Sequence, residues 1–217
     1  MNKLQLLSSL ILASLVFLNG CATKGKDTTS KADAQNQKSA FEADLEKAPP
    51  KYFTGKIALL DDPDIDAIGQ KLFSIVNECY KRKKEIATLL ENQPAYKTFE
   101  SALETRRETD PKATAEQVLS DMSEVERKQV IESAKILQSK ANAFDRYISN
   151  LFKDEKDFID TIIKGVTIKK KMESASYFKK AQIAKLGANF VLGAKYVIHS
   201  KSVANRLKKN ATAASKS

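Results

Sequence analysis

Between residues 62 and 92 apolar side chains return at alternating spacings of three and four: Ile65, Ile68, Leu72, Ile75, Cys79, Ile86 and Leu89, with Arg82 the one interruption. That period marks a helix with one face against a core. Asp62-Pro63 supplies an N-cap and a first-turn proline, and Pro94 bounds the segment after Asn92. A shorter helix follows in AYKTFESALETRR, with Tyr96, Phe99 and Leu103 on one side and Asp110-Pro111 at its end. Thr114 with Gln117 and Ser123 with Glu126 have capping-box spacing, so a short helix and then a long one begin there. The long one carries Val130, Ala134, Leu137, Ala141, Phe144, Ile148, Leu151, Phe158 and Ile162, broken only by Glu155. Two outcomes fit: an unbroken helix to Lys164 of about 60 Å at ~1.5 Å per residue, or a kink near Asp154. Gly165 is the natural stop.

The segment VTIKKKMESAS, residues 166–176, has no decisive pattern. From Tyr177 a third long stripe runs through Ile183, Leu186, Phe190, Gly193, Val197, Ala204 and Leu207, with Ser200 the one polar member. Three long helices with matching stripes predict an all-α fold, an elongated helical bundle of three long helices plus short helices. The small residues of KLGANFVLGAK read as close helix packing, since Lys185, Asn189 and Lys195 would make a bilayer span costly; dimerisation through this face stays open. Upstream, residues 22–50 are polar and close on Pro49-Pro50, too poor in apolar surface to offset the entropy of ordering. They read as a tether of roughly 30 Å typical span, at ~5–6 Å times the square root of its length. KYFTGKIALL, residues 51–60, is an apolar stretch suited to lying extended along the bundle.

Composition supports helix over sheet: glycine (7) and proline (5) are scarce, and Lys, Ala, Glu and Leu are abundant. The net charge of +10 is uneven, because from Lys164 onward 13 Lys and Arg face the single acid Glu173. Twelve of those 13 cations are lysines and one is Arg206, which suits diffuse attraction to a polyanion more than planar bidentate recognition. Lys169, Lys170, Lys171, Lys179 and Lys180, with Lys185 and Lys195 further along, are the candidate residues for a polyanion or partner. The competing reading is a solvated face balanced by Asp154, Asp157 and Asp160 on neighbouring helices.

Motifs of catalysis are missing. Asp62, Asp64 and Asp66 open like a calcium loop, but Ala67 and Phe73 stand where its glycine and glutamate belong, so they read as acids at a helix N-terminus. His199 is the only histidine, which rules out a histidine-pair metal site, and two cysteines rule out a four-cysteine zinc site. Neither a nucleophile elbow nor a phosphate loop occurs. Cys79 lies on an apolar stripe and reads as a small buried hydrophobe unless Arg82 lowers its pKa. The expectation is a non-catalytic protein without cofactor or metal.

Residues 1–20 have the layout of a secretory leader: Lys3, then an uncharged run over residues 4–18, then small residues. Leu18-Asn19-Gly20-Cys21 resembles the lipobox of bacterial lipoprotein precursors, with leucine three before and a small residue directly before the cysteine. The resemblance covers about the first 22 residues, and Asn19 departs mildly from its usual pattern. It implies that Cys21 is acylated and becomes the amino terminus after cleavage, and that Ala22 directs the product to the outer membrane. Several acyl chains make such attachment effectively permanent, since each buried methylene adds ~0.8 kcal/mol. The domains expected are thus a signal peptide at 1–20, a lipidated cysteine and disordered tether at 21–50, a helical bundle at 51–210 and a disordered tail at 211–217.

Together these readings describe a non-catalytic lipoprotein of the cell outer membrane, facing the periplasm. It holds the membrane by its lipid anchor and an envelope protein, anionic lipid or anionic polymer by its basic C-terminal helix. Nucleic acid would suit the charge but not the location, and a homo-oligomer stays open. A carrier or enzyme acting on envelope lipid or glycan, with a cleft joining groups such as Glu155 and His199, is the alternative from another class. An exclusion or immunity-type lipoprotein is the third.

Overall fold

Four of the described helices start at a side-chain cap visible in the first turn. The computed structural model describes residues 39–55 and 60–216; the leader at 1–20, Cys21, the tether through residue 38 and residues 56–59 lie outside them. Among the described residues the fold is all-α, with eight α-helices and no strand. α1 (Ala40–Glu46) and a 3-10 turn (Lys51–Phe53) come first. α2 (Pro63–Glu91), α3 (Pro94–Thr109) and α4 (Ala115–Ser120) follow. α5 (Glu124–Asp154), α6 (Lys156–Lys164), α7 (Val166–Ser174) and α8 (Tyr177–Lys216) complete the chain. Asp62 caps α2 by accepting the amide N–H groups of Asp64 and Ile65, with Pro63 in the first turn. Thr114–Gln117 and Ser123–Glu126 form reciprocal capping boxes, each satisfying two otherwise unpaired amides.

The expected choice at residue 154 resolves as a break. At Glu155 the backbone leaves helical geometry (φ −121°, ψ 16°), so α6 is a separate helix. Gly165 ends α6 in the left-handed region at φ 63°, a conformation glycine adopts without the Cβ penalty. The ambiguous segment 166–176 is largely helical, as α7.

α8 is the axis of the bundle. It packs most extensively along α5, then against α2, and more briefly on α4, α6 and α7. Its stripe Ile183, Leu186, Phe190, Val197, Ala204 and Leu207 is buried, and so is Ser200, whose hydroxyl donates to the carbonyl of Tyr196 at 2.9 Å. The small residues of KLGANFVLGAK serve close packing: a Cβ on Gly193 would lie 2.4 Å from Cζ of the buried Phe53 ring, and one on Gly187 2.8 Å from Ile168.

Four expectations need correction. The segment 22–50 is not all tether: Ser39 and Glu42 form a capping box, α1 follows, and its Phe41 and Leu45 are fully buried in the core. The chain thus enters the bundle at Ser39 rather than after Pro50. The tail at 211–217 is not disordered through Lys216, because α8 extends there with Ala211 and Ala214 buried. In α2 the buried line is Ile65, Gly69, Leu72, Val76, Cys79, Lys83, Ile86 and Leu90, with Ile75 beside it, while Ile68 and Leu89 are only partly covered. The stripe read from sequence therefore holds at Ile65, Leu72, Ile75, Cys79 and Ile86 and is one residue off at Ile68, Arg82 and Leu89, where Gly69, Lys83 and Leu90 are buried instead. Arg82, its apparent interruption, lies over the Tyr147 ring at 4.4 Å and pairs with Glu78 at 2.8 Å. Residues 51–53, expected to lie extended, form one 3-10 turn that buries Phe53.

Candidate functional site

The turn from α7 into α8 carries exposed lysines on both of its sides. Successive helical residues are about 100° apart, so three consecutive lysines on α7 cannot share one environment. Lys169 and Lys170 are exposed, whereas Lys171 turns inward to the start of α2 and pairs with Asp62 at 3.1 Å and Asp64 at 2.7 Å. Hydrogen bonds to Asp64 and Asp62 raise the pKa of Lys171. Asp62 loses some hydration, which works against its ionised form, yet the hydrogen bonds from Lys171 and from the Ile65 amide hold its carboxyl below the ordinary range. Lys171, expected on the binding surface, thus clamps α7 to α2, and the acids of DDPDID serve the N-terminus of α2.

α8 then opens with Tyr177 and Phe178, exposed at 86% and 84%, their rings edge to face with centroids 6.0 Å apart. Lys179 and Lys180 follow, both exposed. Further along, the side of α8 away from its buried stripe carries Ala181, Ala184, Lys185, Ala188, Leu192 and Lys195, all exposed. At ~1.5 Å per residue Lys185 lies about 12 Å from Tyr177 and Lys195 about 27 Å, so Lys195 is not part of the corner. Among the described residues none of Lys169, Lys170, Lys179, Lys180, Lys185 and Lys195 forms an ion pair. Asp154, Asp157 and Asp160, proposed as their internal balance, pair with none of them either. Arg206, the one arginine of this region, points into the bundle toward Glu100 and Glu104.

The aromatic pair is the feature that stripe reading passes over. Two adjacent aromatics amid lysines, opening a long helix, are the available signal.

Polar groups in the interior serve packing. Lys83 is fully buried; its ammonium donates to the carbonyl of Lys47 at 3.3 Å and lies 4.9 Å from the centre of the Tyr196 ring. Burial brings its pKa down to about 8, against a partial offset from Asp44. Tyr196 donates its hydroxyl to the same carbonyl at 3.1 Å. One turn before Lys83, burial pushes the Cys79 thiol up to about 12, overriding Lys83 and Arg82, so it stays protonated and unactivated at neutral pH. His199 Nε2 is 3.2 Å from Asp44 Oδ1 without the alignment of a hydrogen bond, and burial lowers its pKa despite that carboxylate. Glu155 pairs with Lys71 at 2.6 Å, so Glu155 and His199 belong to separate contacts and line no common cleft.

A second buried cluster surrounds Glu100. It accepts from the Tyr96 hydroxyl at 2.9 Å and from Asn210 Nδ2 at 3.1 Å to each oxygen. Burial raises its pKa, with the Arg206 charge opposing. Every acceptor position is engaged, as a structural network requires.

An open depression of about 600 Å³ lies between α2 and α5, where Lys81, Lys84 and Lys140 stand around Glu85 and Leu89. Lys140 and Glu85 approach to 3.5 Å across it. Among the described residues no group of three or more His, Cys, Asp and Glu side chains is placed to hold a metal ion, and no helix is long and apolar enough to cross a membrane. No protein-family model, curated protein or solved structure matches the chain.

Proposed function

We propose that this protein is a non-catalytic, lipid-anchored component of the cell envelope, and that its helical domain engages an anionic envelope component through the basic surface of α7 and α8. The observation that supports this most is the set of exposed lysines, Lys169, Lys170, Lys179, Lys180, Lys185 and Lys195, left without carboxylate partners among the described residues while other basic side chains are used inside the fold. A helical bundle that spends carboxylates on Lys171 and Arg206 but none on this surface leaves its charge to an external counterpart. The anchor follows from the lipobox resemblance at Leu18–Cys21, and placement at the outer membrane from Ala22.

Two measurements test the reading. Mass spectrometry of the chain isolated from its own membranes should find Cys21 acylated at the amino terminus; a bare thiol or a retained leader overturns the anchor. Cross-linking in intact cells should recover an anionic counterpart from the unaltered chain and lose it when Lys169, Lys170, Lys179 and Lys180 are changed to glutamine. Identical recovery from both chains overturns the role of the basic surface.

A further inference from the structure

The two rings at the start of α8 say more about the counterpart than the charge does. Tyr177 and Phe178 are large apolar side chains with almost their whole surface in solvent. Each would bury its apolar surface if the structure beneath offered a place, and here nothing covers them. Their immediate neighbours are the unpaired ammonium groups of Lys179 and Lys180, with Lys169 and Lys170 on the preceding helix.

Aromatic rings flanked by lysines suit one kind of surface particularly well. At a bilayer the ring settles at headgroup depth, where an apolar body and a wet rim are both satisfied, while lysine stems extend along apolar surface and place their charge on phosphates. Anionic lipid adds attraction for each nearby lysine, of a size that multiplies affinity by about fivefold per residue. A folded protein partner would need a matching pocket for two protruding rings and would favour arginine for planar carboxylate pairing. The only arginine of this region is turned inward to Glu100 and Glu104. A lipid surface needs no pocket and reads no directional pairing. The face of α8 continuing from the corner adds Ala181, Ala184, Ala188 and Leu192, exposed and apolar, alongside Lys185 and Lys195.

We infer that the α7–α8 corner is a second, peripheral membrane contact: Tyr177 and Phe178 enter the headgroup layer of a bilayer containing anionic phospholipid, and Lys169, Lys170, Lys179 and Lys180 bind its phosphates. This rests on the reading above that the basic surface faces the envelope, and it names the counterpart as lipid. The contact would hold the bundle against the membrane in a fixed orientation.

The chain has no tryptophan, so Phe178→Trp installs a single emitter at the corner, and Val125→Trp, at an exposed position on the first turn of α5, is its control. The full chain carrying each change is mixed with vesicles of phosphatidylcholine, with and without phosphatidylglycerol, and with brominated versions of the lipids. The expected result is a blue-shifted emission at position 178, quenched by brominated lipid in anionic vesicles and much less in neutral ones, with no such response at 125. Changing Lys169, Lys170, Lys179 and Lys180 to glutamine in the Phe178→Trp chain should weaken that response at least tenfold. The inference is overturned if position 178 stays unquenched on anionic vesicles that carry the chain. It is equally overturned by a blue shift without lipid quenching that grows with protein concentration, the mark of a second copy seated on the rings. Flotation with neutral vesicles reads the acyl anchor separately, so a failure at Cys21 and a failure at the corner give different results.

Discussion

Replacing the buried Lys83 by methionine should make this protein more stable at neutral pH, although it deletes a hydrogen bond and a charge–ring contact. The ammonium of Lys83 is fully inaccessible and faces a carbonyl and a ring instead of a carboxylate. The groups around it are Asp44 and Lys47 from α1 and its end, Cys79 on its own helix, and Tyr196 and His199 on α8. Burial lowers its pKa from 10.5 to about 8. At ~1.36 kcal/mol per unit, the charged form is disfavoured in the fold by about 3 kcal/mol at pH 7, with the favourable contacts of the ammonium already included. Methionine has similar length, keeps a favourable sulfur–ring contact with Tyr196, and leaves the Lys47 carbonyl its Tyr196 donor. Allowing up to ~1.5 kcal/mol for imperfect repacking, the expected gain is about 1–3 kcal/mol.

The pH dependence distinguishes this account from generic repacking. Since the folded pKa lies below the unfolded one, the unfolded chain holds more protons between about pH 8 and 10.5, so stability rises with pH through that window and the penalty is complete below it. By pH 9 the penalty of the native lysine should have fallen to about 2 kcal/mol, and the advantage of Lys83→Met should have narrowed by about 1 kcal/mol. Cys79 and the buried tyrosines work in the opposite sense, because their raised pKa values make stability fall as their unfolded counterparts ionise, from about pH 9 upward. Both proteins share those groups, so the difference between them comes mainly from Lys83, with a smaller part from the action of its charge on Cys79 and His199. Urea titrations followed by far-ultraviolet circular dichroism at pH 7, 8 and 9 measure it. A variant less stable than the native chain at pH 7, or a difference that does not change with pH, refutes the reasoning.

Two further outcomes test the packing. Gly193→Ala should destabilise by about 1–3 kcal/mol in thermal melting despite the ~1 kcal/mol that alanine brings to a helix, because its Cβ would meet the immobile ring of Phe53 at 2.4 Å. Combining it with Phe53→Leu should cost less than the two changes summed. Phe41→Ala should cost about 3–5 kcal/mol and open residues 39–55 to limited proteolysis while α5 stays resistant, since Phe41 is what seats α1 in the core.

Much of the architecture is written in local signals. Asp62-Pro63, the two downstream capping boxes and Gly165 each mark a helix boundary through groups a few residues apart, so no tertiary knowledge is needed to read them. The stripes of α5 and α8 are likewise legible, because their members return at spacings of three and four, although Ile136, Leu192, Tyr196, Ile198 and Val203 fall outside them. α2 is different: Ile68 and Gly69, Ile75 and Val76, and Leu89 and Leu90 are adjacent pairs that serve two registers, and only the packing partner selects one. That selection buries Lys83 rather than Arg82, which no propensity favours. α1 hides for another reason. Its capping box Ser39–Glu42 has the usual spacing, but only Phe41 and Leu45 carry it into the core, and their destination is formed by helices far along the chain. The corner is hidden by the habit of sorting aromatics into the core.

Counting charges along a sequence cannot say where a basic segment exerts its field, and this chain shows why. Of the cations after residue 163, Lys171 is matched by Asp62 and Asp64, Lys208 by Asp145 at 2.6 Å, and Arg206 by Glu100 and Glu104, while Lys201 lies over the Phe152 ring at 4.1 Å. These residues hold helix to helix, and removing them would loosen the fold as much as any surface property. Of the nine cations that remain unmatched among the described residues, four are placed together: Lys169, Lys170, Lys179 and Lys180 stand on either side of one interhelical turn, which also carries Tyr177 and Phe178, the only two aromatic rings among the described residues that are more than four-fifths exposed. A charge that merely kept the protein dispersed would need neither that clustering nor the rings. Dispersal and binding also respond differently to salt, since screening at a Debye length of about 8 Å weakens a lysine–phosphate contact but leaves buried rings in place. A contact built from both should therefore lose part, and not all, of its lipid quenching at position 178 as salt is raised, whereas a purely electrostatic one would lose it entirely.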